Sequence, residues 1–162
     1  NLIEMPRRYT VEPGKSLQDR WGPSVVGIYD LWVLGPNGFH RQFKGNTWTP
    51  VTSLTGAEVQ LVPDPAAGQV VLTLRNTGQR TCQFKVCRNR YDEAVLGTFS
   101  VGGRGQRVLR IDVRPWGNWY DLSVQVLGQP DFLRRMAGRM EDGQPSISDP
   151  AMHGPALVHT DC

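Results

Sequence analysis

The chain has 162 residues, enough for one domain of ordinary size whose core needs neither a metal nor several disulfides. Its net charge of +3 is mild and its 15 Arg form no block of five or six, so nucleic acid is not an expected partner. No run approaches the ~18 apolar residues of a bilayer-spanning helix, and 18 Gly and 12 Pro punctuate short β-rich runs, the composition of an all-β fold rather than a bundle.

Residues 1–22 carry Pro6-Arg7-Arg8, Glu12-Pro13-Gly14-Lys15 and Trp21-Gly22, and read as a linker or peripheral strand leading in from an upstream domain. The chain opens on Asn1 without a Met or a charged-then-apolar leader, and is expected to be a mature product or a segment of something larger. A β-sandwich domain is expected over 23–142. Its first hairpin joins Ile28–Leu34 to Phe39–Lys44 through Pro36-Asn37-Gly38. A three-residue loop there, with Pro setting a type I turn and Gly38 left-handed, pairs Gly35 with Phe39, Val33 with Arg41 and Leu31 with Phe43. Leu31, Val33, Phe39 and Phe43 then share one face, and Trp32, His40, Gln42 and Lys44 the other.

Period-two alternation predicts further strands at Ala57–Val62, Gln69–Asn76, Arg80–Arg88, Arg107–Val113 and Trp119–Leu127, with a weaker one at Ala94–Ser100. Val101-Gly102-Gly103-Arg104-Gly105 has the composition of a phosphate-cradling loop but no Lys-Ser/Thr and no helix pattern after it, so a plain turn is expected. Leu31, Phe43, Leu72, Leu74, Phe84, Ile111, Leu122 and Val124 hold the apolar parity of their strands and are the predicted core. In the same parity Cys82 points inward and Cys87 outward; with Cys162 terminal, the odd count gives no disulfide framework.

The last hairpin repeats the first. Tyr29-Asp30-Leu31 returns as Tyr120-Asp121-Leu122, an offset of 91, and Phe39-x-Arg41-x-Phe43-x-Gly45 returns as Phe132-x-Arg134-x-Met136-x-Gly138, an offset of 93. So long an offset is not a solenoid period. It indicates one β domain whose first and last hairpins are built alike. Residues 131–141 also fit a helix, with Phe132, Met136 and Met140 on one face behind an Asp131 N-cap, but the echo favours a strand. The Pro/Ser/Asp/Gly-rich stretch 143–162 lacks periodicity and is expected to be an irregular tail.

No nucleophile elbow, triad or cofactor fingerprint appears, and His40, His153 and His159 lack partners at metal-ligand spacing, so no catalytic, cofactor or metal residue is expected. The repeated Asp30 and Asp121 read as structural aspartates meeting backbone or Arg. Trp32, Trp48, Trp116 and Trp119 fall at turns or outward positions, where an amphipathic ring can enter lipid headgroups or dock another domain. They are the candidate membrane or partner contacts.

With those residues laid out, the chain resembles the C-terminal domain of bacterial phospholipases C of the phosphatidylcholine- and sphingomyelin-cleaving type. The resemblance rests on Tyr29 through Gly45, on Leu72-Thr73-Leu74-Arg75-Asn76-Thr77-Gly78, and on Trp119-Tyr120-Asp121-Leu122 through Arg139 to Ser148-Asp149-Pro150. The lead-in Arg8-Tyr9-Thr10-Val11-Glu12-Pro13-Gly14 is similar to the connector before that domain. The expected fold is then an all-β, Ig-like β-sandwich of seven to eight antiparallel strands with an irregular C-terminal tail. The resemblance implies a Tat-exported, secreted or periplasmic parent whose catalytic domain lies upstream. It implies an accessory module without cofactor, partnered by that domain and by a phospholipid surface, or else packing on the catalytic domain or a secretion partner.

Overall fold

A computed structural model describes residues 6–22, 26–47, 56–92 and 94–153. Nine strands account for most of them: β1 Ile28–Leu34, β2 His40–Asn46, β3 Ala57–Asp64, β4 Gln69–Asn76, β5 Cys82–Arg88, β6 Ala94–Val101, β7 Gln106–Asp112, β8 Trp119–Val126 and β9 Gln129–Arg139. They form two antiparallel sheets, a six-stranded one in the order β1-β2-β9-β8-β5-β6 and a three-stranded one in the order β3-β4-β7. The result is a β-sandwich. One strand more than the sequence listed outright appears, and it is the Gln129–Arg139 strand that the echo favoured over a helix.

The core lies between β4 and β7 on one side and β5, β6, β8 and β9 on the other. Val70, Leu72, Leu74, Phe84, Val86, Ile111, Leu122 and Val124 are buried there, each from the apolar parity of its strand. Two predicted core positions differ. Leu31 is half-buried and Phe43 is 36 % exposed. Their parity is right: Phe43 is aligned across the ladder with Arg134 and Val124, and Val124 faces the core. The covering sheet, however, has three strands against six, and no residue of β1 or β2 joins the buried apolar cluster. Cys87 points outward as expected, yet it is only 4 % exposed and is disulfide-bonded, which the odd cysteine count did not suggest.

The chain changes sheets at corners with identifiable residues. Asn76, fully buried at the end of β4, donates through Nδ2 to the carbonyls of Arg80, Val101 and Gly102 and accepts from the amides of Gly56 and Gly78. One amide side chain thus satisfies backbone groups from three separate turns. The glycine-rich loop after β6 is the corner into β7, with the Arg104 amide donating to the Gly78 carbonyl at 2.8 Å. A 3-10 turn, Arg114–Trp116, leads from β7 into β8.

The first hairpin has the expected register: Gly35 donates its amide to the Phe39 carbonyl at 2.9 Å, Val33 faces Arg41, and Leu31 faces Phe43. Its turn is of a different type. Asn37 (φ 54°) joins Gly38 (φ 67°) on the left-handed side, and the Phe39 amide donates to Pro36, the φ signs of an Asn-Gly type I′ turn. In the last hairpin Tyr120 faces Gly138, Leu122 faces Met136 and Val124 faces Arg134, residue for residue the pairs Tyr29–Gly45, Leu31–Phe43 and Val33–Arg41. The two hairpins meet along β2 and β9, where Arg41 faces Met136, Gln42 faces Arg135 and Phe43 faces Arg134. Adding the 93-residue offset turns Gln42 into Arg135 and carries the pair Arg41–Met136 onto the pair Arg134–Phe43. A local pseudo-twofold axis therefore passes between Gln42 and Arg135.

Candidate functional site

The most organised polar side chains of the inner face flank that axis at the margin of the core, where Tyr120 and Phe132 are still buried and β1 and β2 are not. Tyr29 faces Gly45 because only a glycine leaves room for its ring: a Cβ there would lie 2.5 Å from Tyr29 Cζ. The Tyr29 hydroxyl then reaches across to the other hairpin and accepts from Arg134 Nη2 at 2.8 Å. Reciprocally, the Tyr120 hydroxyl accepts from Arg41 Nη2 at 3.0 Å. Each Nη1 is spent on carbonyls, Arg41 on His40 (2.8 Å) and Ala137 (2.7 Å), and Arg134 on Lys44 (2.6 Å) and Leu133 (2.9 Å). The guanidinium of Arg41 lies over Phe39, and that of Arg134 over Phe132 with Tyr29 and Phe43 farther off. Val33 and Leu34 leave further apolar surface exposed on the same hairpin.

The opposite face of this sheet is polar, and it is closed around Asp121. Arg135 grips the buried Asp121 bidentately at 2.9 and 2.6 Å, Asn89 donates to the same carboxylate at 2.8 Å, and the Ser123 hydroxyl donates to Asn89. At the symmetric place Asp30 accepts from Gln42 at 2.9 Å and from the Trp32 indole at 2.8 Å. The repeated aspartates therefore anchor neighbouring strands. They stand apart from one another, each with its own donors, and form no acid pair. The His40 ring lies tilted against Trp32 with centroids 5.1 Å apart; burial and Arg135 lower its pKa below the ordinary value.

Of the four tryptophans picked from the sequence, Trp32 is 57 % exposed on the outer face of the edge hairpin. Trp116 and Trp119 are half-buried and engaged within the chain. Arg88 lies over the Trp116 ring at 4.3 Å, and the Trp119 indole donates to the Ile147 carbonyl at 3.1 Å, with the Gly38 turn against its ring. Trp48 lies outside the described residues. Of these three, Trp32 alone is exposed. A depression of about 370 Å³ lined by Thr81–Gln83 and Val126–Gln129 holds Cys82, whose thiol burial pushes up to about 11, far from a reactive thiolate. The Arg41–Tyr120 and Arg134–Tyr29 clasp escaped the sequence reading, although all four residues belong to the echo.

The family described as bacterial phospholipase C, C-terminal domain, matches residues 1–46 and 57–139. A non-hemolytic phospholipase C of Pseudomonas aeruginosa is 39 % identical over 149 residues, covering 91 % of this chain and 22 % of that protein. One of Burkholderia pseudomallei is 40 % identical over 152 residues, covering 93 % and 21 %. A hemolytic phospholipase C of Pseudomonas aeruginosa is 32 % identical over 163 residues, covering 91 % and 22 %. The chain spans about a fifth of the length of these relatives. By sequence match along nearly its whole length, this β-sandwich belongs to the family of bacterial phospholipase C C-terminal domains.

Proposed function

We propose that the chain is a non-catalytic accessory domain of an exported phospholipase C, and that its task is to pack against the remainder of the parent and support hydrolysis of phosphatidylcholine-type lipids there. The observation that carries this is the inner face of β1 and β2. It continues the core-facing surface of the large sheet, bears Leu31, Val33, Phe39 and Phe43, and lacks a covering strand among the described residues. An uncovered apolar sheet face of this kind marks an interaction surface, and four-fifths of the relatives' length is there to supply the cover.

The test compares backbone hydrogen exchange of β1 and β2 in this chain alone and in the full-length parent. Slowing by tenfold or more in the parent is the expected result; equal rates in the two would remove the packing reading. A second reading, contact with the lipid surface, is favoured by the exposed Trp32, whose indole can enter headgroups. Co-sedimentation with phosphatidylcholine vesicles, lost in Trp32→Ala, supports that reading instead.

A further inference from the structure

We propose that Arg41 and Arg134 form a paired carboxylate seat, one that takes Asp or Glu side chains from the part of the parent that covers the inner face. The inference rests on the packing reading and adds the chemistry of the partner. Neither guanidinium has a carboxylate within ion-pairing distance among the described residues. Arg135, by contrast, is paired with Asp121, Arg139 with Glu141 and Arg114 with Asp112. Both arginines are nonetheless half-buried between aromatic rings, where a cation left alone is costly.

The donors still free on each one match a carboxylate. A guanidinium carries five N–H groups. On Arg41 and Arg134 both Nη1 hydrogens go to carbonyls and one Nη2 hydrogen goes to a tyrosine hydroxyl. Among the described residues, what remains is Nε–H and one Nη2–H. This is the pair through which Arg135 grips Asp121 at 2.9 and 2.6 Å, and Arg114 grips Asp112 at 3.0 and 2.7 Å. The tyrosine and carbonyl bonds fix each fork in advance, so little side-chain freedom is lost on binding. The pseudo-twofold places the two forks on neighbouring strands of one ladder, with Phe43 facing Arg134 and Met136 facing Arg41. Apolar residues surround them, so a partner surface would bring carboxylates at its centre and apolar side chains at its margin.

The experiment uses the full-length parent, with Arg41→Gln/Arg134→Gln and Arg41→Lys/Arg134→Lys double variants, and reads hydrogen exchange of β1 and β2 at low and high salt. Thermal unfolding of the 162-residue chain carrying the same substitutions reports any loss of fold on its own and is subtracted. The expected result is slow exchange in the parent and a loss of protection of about tenfold or more in the Gln variant, as for a buried charge pair deprived of one partner. The Lys variant should lose part of it, because the ammonium keeps the charge but not the fork. Slow exchange unmoved by salt and by both substitutions overturns the carboxylate seat while leaving packing in place. Fast exchange in the wild-type parent overturns both. Protection that appears only on adding phosphatidylcholine vesicles, and that the Gln variant abolishes, assigns the forks to lipid phosphate and overturns the protein partner.

Discussion

Phe84 and Phe43 show what burial does to equivalent side chains. Both sit on the inner face of the same sheet, but Phe84 is 0 % exposed beneath the small sheet and Phe43 lies beyond its edge. Phe84→Ala should cost about 3–5 kcal/mol in urea unfolding of the isolated chain, the usual range for a large cavity. Phe43→Ala should cost clearly less there, because 36 % of its surface is already exposed. A matching loss at both positions would mean that the inner face is closed within this chain. Asn76 carries a different kind of cost. Asn76→Ala would leave several buried carbonyls and amides unpaired at once, each worth about 1–3 kcal/mol, and the corner should open before the sheets do. Alternation told the sequence reader which way Phe43 points, since side-chain direction is a property of one strand. How far the facing sheet extends depends on contacts between distant strands, and no local pattern encodes it. Asn76 was likewise visible only as a turn residue, because its partners lie up to 26 residues away.

At the scale of elements, the repeated hairpin was the most legible feature. Gly45 has its physical reason in the Tyr29 ring that lies over it, whereas Gly138 is explained by its backbone, at φ +150°. Gly45→Val should therefore displace Tyr29, free Arg134 from its hydroxyl and destabilise the hairpin by about 1–3 kcal/mol through overpacking. Gly38→Val should be worse than a surface change, because φ is +67° and a Cβ would meet the Trp119 ring at 2.7 Å. A crystal structure of Gly45→Val with Tyr29 unmoved would refute the first. The turn type itself was misjudged, since Asn37 and Gly38 suit both a bulged type I turn and the I′ turn found. Among the described residues, the tail carries a titratable contact. Tyr91 donates to Asp149 at 2.8 Å, and burial and then that carboxylate raise the Tyr91 pKa well above its ordinary 10.0. The folded state thus favours the protonated phenol. The associated stability is fully present below pH 10.0 and is lost as pH rises beyond it, when the unfolded chain ionises first. Alkaline unfolding of Tyr91→Phe should be flatter above that pH than unfolding of the native chain, with faster exchange in residues 144–153. Identical alkaline slopes would show that Tyr91 contributes nothing to the linkage.

For the whole molecule, the division of labour follows from where polar groups end up. The large sheet has one face that is closed and polar around Asp121, Arg135, Asn89 and Ser123, and one that is apolar, closed over β5 and β8 and open over β1 and β2. In the closed face Asp121, Arg135, Asn89 and Ser123 hold one another in place. Ser123 gives its proton to Asn89 rather than to a base, and the Cys82 thiol is held un-ionised. The serine and the buried thiol are thus both engaged structurally, and neither is poised as an activated nucleophile. The expected outcome is that the purified chain does not turn over a choline phosphodiester, while the full-length parent does. Turnover by the chain, abolished by Ser123→Ala with the fold intact by circular dichroism, would reverse that assignment. The reciprocal experiment is the more informative one, because removing an accessory domain leaves the chemistry but exposes what it covered. A parent lacking this domain should retain activity on a soluble phosphodiester, lose at least part of its activity on packed lipid, and unfold at a lower temperature. If soluble-substrate activity vanishes along with the rest while the remaining fold persists, then this sandwich contributes a residue to the reaction and its role is catalytic.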